Sequence, residues 1–377
     1  MDSSEGRFMK KLQLNLQHST SRVWIGHQLP DCLKQLQLPG RPLRAFLLVD
    51  GVLKQTAKAW WEKLEELGWS VEIRFVRASE SLKSLRSLEP LYSWLIRKGA
   101  DRHSVIFAIG GGTVGDAVGF LAGTYLRGLR WVSVPTTLLA QVDSGLGGKT
   151  AVNHHLGKNL IGIFHQPVAV FCDLDFLKTL SERELISGLG EIAKYGIALD
   201  RTLFRYLEKR SRKGVLELFA HPRAMEYLVW SCLKLKKAAV EKDELDQKGS
   251  RALLNFGHTL GHLFEAETGY GYFRHGEAVV WGMRGAVFLS MLRGRLQEEE
   301  GREIDQFLSR LTVPKLPGKN AFSARWRRLK LDKKSKDGVP RFVLLEKVGR
   351  AVSDQTVSQD EVRKTLNWLD RQKGGRG

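Results

Sequence analysis

Cysteine is scarce in this 377-residue chain: Cys32, Cys172 and Cys232 stand far apart in apolar surroundings. An odd number at such spacing supports neither a disulfide framework nor a cysteine zinc site, so reduced core thiols are expected. No apolar run approaches the roughly 18 residues that would cross a bilayer. The opening MDSSEGRFMKK has no apolar stretch behind it, so no secretory signal is expected, and the cytoplasm is the expected compartment. Repeats are missing, as is any low-complexity segment beyond the Gly/Arg/Lys-rich end. Acidic residues are in deficit, 41 against 60 basic ones, which leaves a net charge of +19. Much of that excess lies in RYLEKRSRK, RWRRLKLDKKSK and RQKGGRG. Charge alone is a weak indication of nucleic-acid binding, and no helix-turn-helix, zinc-finger or RRM signature accompanies it. A solvated face or tail accounts for most of it, and nucleic acid is not the favoured partner.

What is present is the composition of a globular protein, 42% hydrophobic and 27% charged, with length enough for two domains. KLQLNL and RVWIG read as paired strands, and DCLKQLQL as a helix-like stretch. RAFLLVD, SVEIRFV, SVIFAIGGG, RWVSVPTT and VAVFCDL are short apolar strands alternating with helical segments, the pattern of a parallel sheet in an α/β domain. From about residue 181 apolar residues recur at three- and four-residue spacing, so the second half is expected to be mainly helical. The expected division is 1–180 and 181–377, with ligand bound in a cleft between them.

Three groups of residues could carry chemistry. In IGGGTVGD, Gly110, Gly112 and Gly115 have GxGxxG spacing after a strand, where backbone N–H groups and a helix N-terminus can receive a pyrophosphate. The acidic residue normally found about 20 positions later is missing, since that region is VSVPTT. Asp50 and Glu80 precede the loop instead, so a dinucleotide would be held in a different chain order. Next, His258 and His262 share a helix face, with His275 opening a further helix and Glu191 in GLGEIAKYG. This set suits a catalytic metal with an open position, and it also suits satisfied core histidines with a surface glutamate. Finally, VDSGLGGKTAVNHHLGKNLIG carries Asp143, Lys149, Asn153, Lys158 and Asn159 in loop-like, glycine-rich sequence. Such a stretch could cradle a phosphate and hydroxyls, or be a solvated loop.

In combination these segments resemble the 3-dehydroquinate synthase family of the sugar phosphate cyclases. The likeness runs in order through GGGTVGDAVGFLAGTYLRG, PTTLLAQVDSGLGGKTAVNHHLGKNLIGIFHQP, LKTLSERELISGLGEIAKYG, RALLNFGHTLGH, HGEAVVWGM and DKKSKDGVPRFVLL, spanning roughly residues 40–350. It implies an NAD-binding α/β domain followed by a mainly α-helical metal-binding domain, in a homodimer. Glu191, His258 and His275 match the family's metal ligands, which normally hold zinc, with cobalt as a substitute. Asp50, Glu80, Lys83, Gly111, Gly112, Asp116, Thr136, Thr137, Asp143, Lys149, Lys158 and Thr179 match its NAD contacts. Arg127, Asp143, Lys149, Lys158, Asn159 and Lys334 match substrate contacts. Catalytic positions fall on Lys149, Lys194, Lys237, Arg251, Asn255 and on His262, which matches a histidine that is not a ligand.

The implied substrate is 3-deoxy-D-arabino-heptulosonate 7-phosphate, a sugar acid phosphate. The implied sequence is transient oxidation by NAD, β-elimination of phosphate, re-reduction, ring opening and aldol closure to 3-dehydroquinate. Other sugar phosphate cyclases and glycerol-type dehydrogenases share the fold. The joint presence of Lys194, Lys237, Arg251, Asn255 and His262 favours the carboxylated substrate over them. A nucleic-acid-binding protein on an inactive scaffold is the rival of another class, and no matched catalytic position has been lost. Two departures stand near the polar loop: His154-His155 where the family often has His-Pro, and His165 where tyrosine is common.

Overall fold

The computed structural model describes residues 9–17, 19–36, 38, 44–318, 320–331, 340–354 and 357–372. Lys334 and the last residues of the basic tail fall outside them. The chain divides into two compact units, one of residues 1–180 with Lys236–Leu245, the other of Ser181–Leu235 with 246–377.

In the first unit the strands are β1 (Lys10–Asn15), β2 (Thr20–Gly26), β3 (Arg44–Asp50), β4 (Ser70–Val76), β5 (Val105–Gly110), β6 (Arg130–Pro135) and β9 (Ala169–Asp173). They form one seven-stranded sheet in the order β1-β2-β9-β6-β5-β3-β4, parallel throughout except for the β1–β2 pair. All six residues of β5 are buried, as a strand covered on both faces must be, which is why its sequence runs apolar without alternation. Helices α1 (Lys58–Glu66), α2 (Leu85–Arg97) and α3 (Gly112–Thr124) join these strands. One cluster holds Phe46, Leu88, Ile106, Leu121 and Trp131, and a second holds Leu47, Trp60, Phe107, Val132 and Phe171.

Two segments differ from expectation. In its described residues the DCLKQLQL segment forms a short 3-10 stretch, Leu29–Gln35, with a proline in its first turn. The glycine-rich polar segment is not a loop: after a single π turn at Ala140–Ser144 it forms a hairpin of β7 (Lys149–His154) and β8 (Gly157–Phe164). Thr150 and Val152 alternate inward along β7, a period that the surrounding glycines and polar residues obscure in the sequence.

The second unit is helical, as expected: α4 (Glu182–Leu199), α5 (Arg201–Ser211), most of α6 (Pro222–Lys242), α7 (His258–Glu267), α8 (His275–Leu292), α9 (Glu298–Arg310), α10 (Phe322–Leu331) and α11 (Gln359–Leu369). It also has an antiparallel pair, β10 (Phe342–Lys347) and β11 (Arg350–Asp354). RALLN, expected as part of a helix, is a 3-10 turn that ends before α7. Among the described residues no helix is long and apolar enough to cross a membrane.

All three cysteines are buried and reduced, and burial pushes the Cys172 thiol well above its ordinary range. Not all of the basic excess is solvated. Arg325, within RWRRLKL, is 2% exposed and bonded to Glu267 and Asp370, and buried Arg284 pairs with Asp305.

Candidate active site

The glycine turn of the first unit follows from strand geometry. Gly110 ends β5, Gly111 caps α3 in extended conformation, and Gly112 opens the helix. A Cβ on Gly111 would lie 3.0 Å from the Thr137 methyl, and one on Gly112 would lie 2.8 Å from Ser144 Oγ. Neighbouring side chains thus pack closely against both glycines, which also line a cavity with Asp116, Ser144 and Lys149. The missing acidic partner is also accounted for. Strand β3 lies beside β5, with Val49 opposite Ile109, so Asp50 stands at the strand end next to Gly110 despite its reversed chain order. Thr136, whose N–H donates to the Gly110 carbonyl, and Thr137 follow β6, while Thr179 follows β9.

Lys83 is the hub of this unit. Its buried ammonium donates to Asp116 Oδ2 at 2.6 Å and to Asn159 Oδ1 at 2.5 Å. Burial pushes the Asp116 carboxyl up, and the adjacent Lys83 charge pulls against that shift. Asn159 adopts φ 54°, and its N–H reaches Asn153 Oδ1, while the Asn153 amide donates to Glu80. Lys158 stands 3.9 Å from the same Glu80. Glu80, Lys83, Asp116, Lys158 and Asn159 are thus joined through the hairpin. Arg127 stands apart from this network on the exposed turn after α3.

Asp143 accepts from Lys236 Nζ at both its carboxylate (2.8 Å) and its carbonyl (2.6 Å). Lys236 was not singled out in the sequence. The neighbouring Lys237 was, and it bonds instead to Glu241 on its own helix. Two adjacent lysines on α6 face different ways, and only the helix rotation distinguishes them.

In the second unit Glu191 on α4 is completely buried, not a surface carboxylate. His258 and His275 are the first residues of α7 and α8. His258 Nδ1 lies 3.2 Å from the Phe256 carbonyl, and His275 Nδ1 lies 3.2 Å from Glu265 Oε2. Both acceptors require a proton on Nδ1, which leaves each Nε2 facing Glu191 Oε1, at 3.5 Å and 3.4 Å. One donor atom from each of the three residues lies within 4.8 Å of the others, and among the described residues this is the group able to hold a metal. Burial works against a charge on His275, but Glu265 and Glu191 outweigh it and raise its pKa to about 10.

Lys194, one turn after Glu191, contacts its Oε2 at 2.5 Å, and the His262 ring lies 5.6 Å from that of His258. Buried Arg251 and half-buried Asn255 belong to the turn ahead of α7. Glu265 was missed, although its position seven residues after His258 and three after His262 places it on their helix face.

Glycines set the spacing of the three metal-ligand helices. A Cβ on Gly276 would meet the Ser187 carbonyl oxygen at 1.8 Å, and one on Gly282 the Gly257 oxygen at 1.9 Å. Helices α4, α7 and α8 therefore touch backbone to backbone beside the donors.

A parallel sheet with a glycine turn opening a helix in one unit, and a buried carboxylate with two imidazoles on helices in the other, suit an enzyme that uses a dinucleotide and a divalent metal. The comparisons narrow this further. Residues 73–187 match the N-terminal domain of 3-dehydroquinate synthase and residues 188–335 its C-terminal domain. The chain is 38% identical to the 3-dehydroquinate synthase of Endomicrobium trichonymphae over 96% of its own length and 98% of that protein's. It is 41% identical to that of Pelobacter propionicus, covering 91% and 95%. It also resembles 2-epi-5-epi-valiolone synthase from Streptomyces hygroscopicus, solved with NAD+ and Zn2+ bound, with a TM-score of 0.85 and 26% identity over 94% of this chain and 98% of that one. This chain belongs to the 3-dehydroquinate synthase family, and it is an enzyme.

Proposed function

We propose that the chain converts 3-deoxy-D-arabino-heptulosonate 7-phosphate to 3-dehydroquinate and phosphate, with NAD and a divalent metal, zinc or cobalt, as resident cofactors. The observation that carries the metal reading is the convergence of Glu191, His258 and His275 with both histidine tautomers set by their Nδ1 partners. A carboxylate oxygen and two imidazole Nε2 atoms are a donor set that suits such an ion, and the raised His275 pKa means that its proton would be released on metal binding. The glycine turn from β5 into the N-terminus of α3, lining a cavity, suits a pyrophosphate, and Asp50 at the neighbouring strand end suits a ribose hydroxyl. When bound, NAD supplies a reversible hydride acceptor, and the metal supplies Lewis-acid polarisation of the hydroxyl being oxidised.

The chain's own residues bind and orient. Glu80, Lys83, Asp116, Thr136, Thr137 and Thr179 complete the dinucleotide contacts, with Asp143, Lys149 and Lys158 at its junction with the substrate. Arg127, Lys149 and Asn159 orient the phosphate so that it leaves by elimination, taking the neighbouring proton itself. Lys194, Lys237, Arg251, Asn255 and His262 hold the carboxylate and hydroxyls, a task for cations and amide donors. Lys334 is a further substrate contact by resemblance. The same reading makes the enzyme a cytoplasmic homodimer.

The test is phosphate release from that substrate with catalytic NAD and zinc, following 3-dehydroquinate in the same sample. The expected result is equimolar formation of both without net NADH. A folded, NAD-binding, metal-loaded protein that releases no phosphate would shift the assignment to another sugar phosphate.

A further inference from the structure

We infer that His165 is a positioning residue for phosphate recognition, tying the turn that presents Arg127 to the strand that presents Lys149. The inference rests on the phosphate role proposed above for those two residues. His165 follows β8, and its N–H donates to the Gly148 carbonyl at 2.8 Å, directly before Lys149. Its ring Nε2 lies 2.7 Å from the Leu129 carbonyl, two residues after Arg127. Its own carbonyl accepts from the Trp131 indole at 3.1 Å. A single residue thus fixes both segments to β6.

The Arg127 turn needs such a restraint. Leu126, Arg127 and Gly128 have φ of 49°, 66° and 119°, so two consecutive residues with side chains occupy the left-handed region. Each is conformationally unfavourable and persists only where its surroundings over-determine it. On one side the turn is held by Leu129 N–H donating to Ala122 and Gly128 N–H donating to Tyr125. On the other side the His165 imidazole holds the carbonyl of Leu129.

The ring has a prepared seat. A Cβ on Gly123 of α3 would meet His165 Cγ at 3.0 Å, and one on Gly128 would approach Cε1 at 3.8 Å. Since a carbonyl only accepts, Nε2 must carry the proton. Burial lowers the His165 pKa, which keeps the ring neutral in that donor tautomer at neutral pH.

The test measures KM for the sugar acid phosphate, inhibition by inorganic phosphate, NAD affinity and melting temperature in variants. His165→Phe keeps the ring and removes the donor. It is expected to raise KM and weaken phosphate inhibition about five- to tenfold, the worth of one hydrogen bond, with NAD affinity unchanged. His165→Gln, whose amide reaches as far as Nε2, should restore both. If His165→Phe does not fold, His165→Asn, polar but too short, replaces it. In an Arg127→Ala background the His165 substitution should have no further effect on phosphate inhibition, because the two act as one unit. A lowered melting temperature with unchanged KM and phosphate inhibition, or full additivity with Arg127→Ala, would overturn the inference. An Arg127→Ala enzyme with normal KM and phosphate inhibition would instead remove the phosphate role of Arg127.

Discussion

Glu265 offers a sharp test of the metal centre, because it touches no proposed substrate atom yet bears on how the ion is held. Its carboxylate lies 3.2 Å from His275 Nδ1 and the residue is 7% exposed. It fixes the imidazole's tautomer and direction and raises the basicity of the far nitrogen. Supporting carboxylates of this kind are worth about 10–100-fold in metal affinity. The low exposure favours the upper part of that range, and the long contact favours the lower part. Glu265→Ala should therefore weaken zinc binding about 30-fold, or ~2 kcal/mol. Glu265→Gln keeps an acceptor and loses only the charge, so about tenfold is expected. Competition between the metal-free protein and a chromophoric chelator reads this directly, with circular dichroism as the control for folding. Zinc affinity in folded Glu265→Ala within twofold of the unaltered protein would refute the supporting role.

Chelation should abolish turnover and added zinc or cobalt restore it; turnover indifferent to chelators would remove the metal assignment. Lys83→Met removes the cation beside Asp116 and Asn159, and loss of one partner from a buried pair costs about 3–5 kcal/mol. It should lower the melting temperature by several degrees and weaken NAD binding, and unchanged values of both would contradict the hub. Burial raises the Asp173 pKa to about 6, against which two backbone N–H groups work. The folded state then holds a proton that the unfolded state has already lost, between the ordinary aspartate pKa and about 6. Stability from this group is thus present at low pH and lost as pH rises through that window, by about 3 kcal/mol at most. Relative to Asp173→Asn, the unaltered protein should lose stability between pH 4 and 7 in denaturant titrations, and a constant difference would count against the shift.

The central strands were legible because burial on both faces removes alternation and leaves bare apolar runs such as VIFAIG. The hairpin was not, since its inward Thr150 and Val152 are embedded among glycine, asparagine and lysine, which read as loop. The metal donors were visible as residue types at helical spacing, but the identity of the third member was open: His262 lies one turn from His258, whereas His275 completes the group from another helix. Glu265 shares that periodicity, but as a residue type it is indistinguishable in the sequence from any other helix glutamate. The choice between Lys236 and Lys237 was beyond reach, because it depends on the rotation of α6 about its axis and the two lysines are adjacent in the sequence. Asp50 was legible as a strand-end carboxylate, while its place beside the glycine turn required the strand order β5-β3-β4.

The glycine contacts between α4, α7 and α8 bear on how this centre tolerates change. Side chains in a core can be exchanged for others of similar volume with small readjustments. Here the separation of Glu191, His258 and His275 is set by peptide groups in contact, so no exchange of apolar side chains tunes it. Variation in the surrounding leucines and valines can alter stability while leaving the donor spacing, and hence the choice of ion, intact. A single methyl group at Gly276 would do the reverse, since it would lie 1.8 Å from the Ser187 carbonyl oxygen, a clash relieved only by moving a ligand-bearing helix.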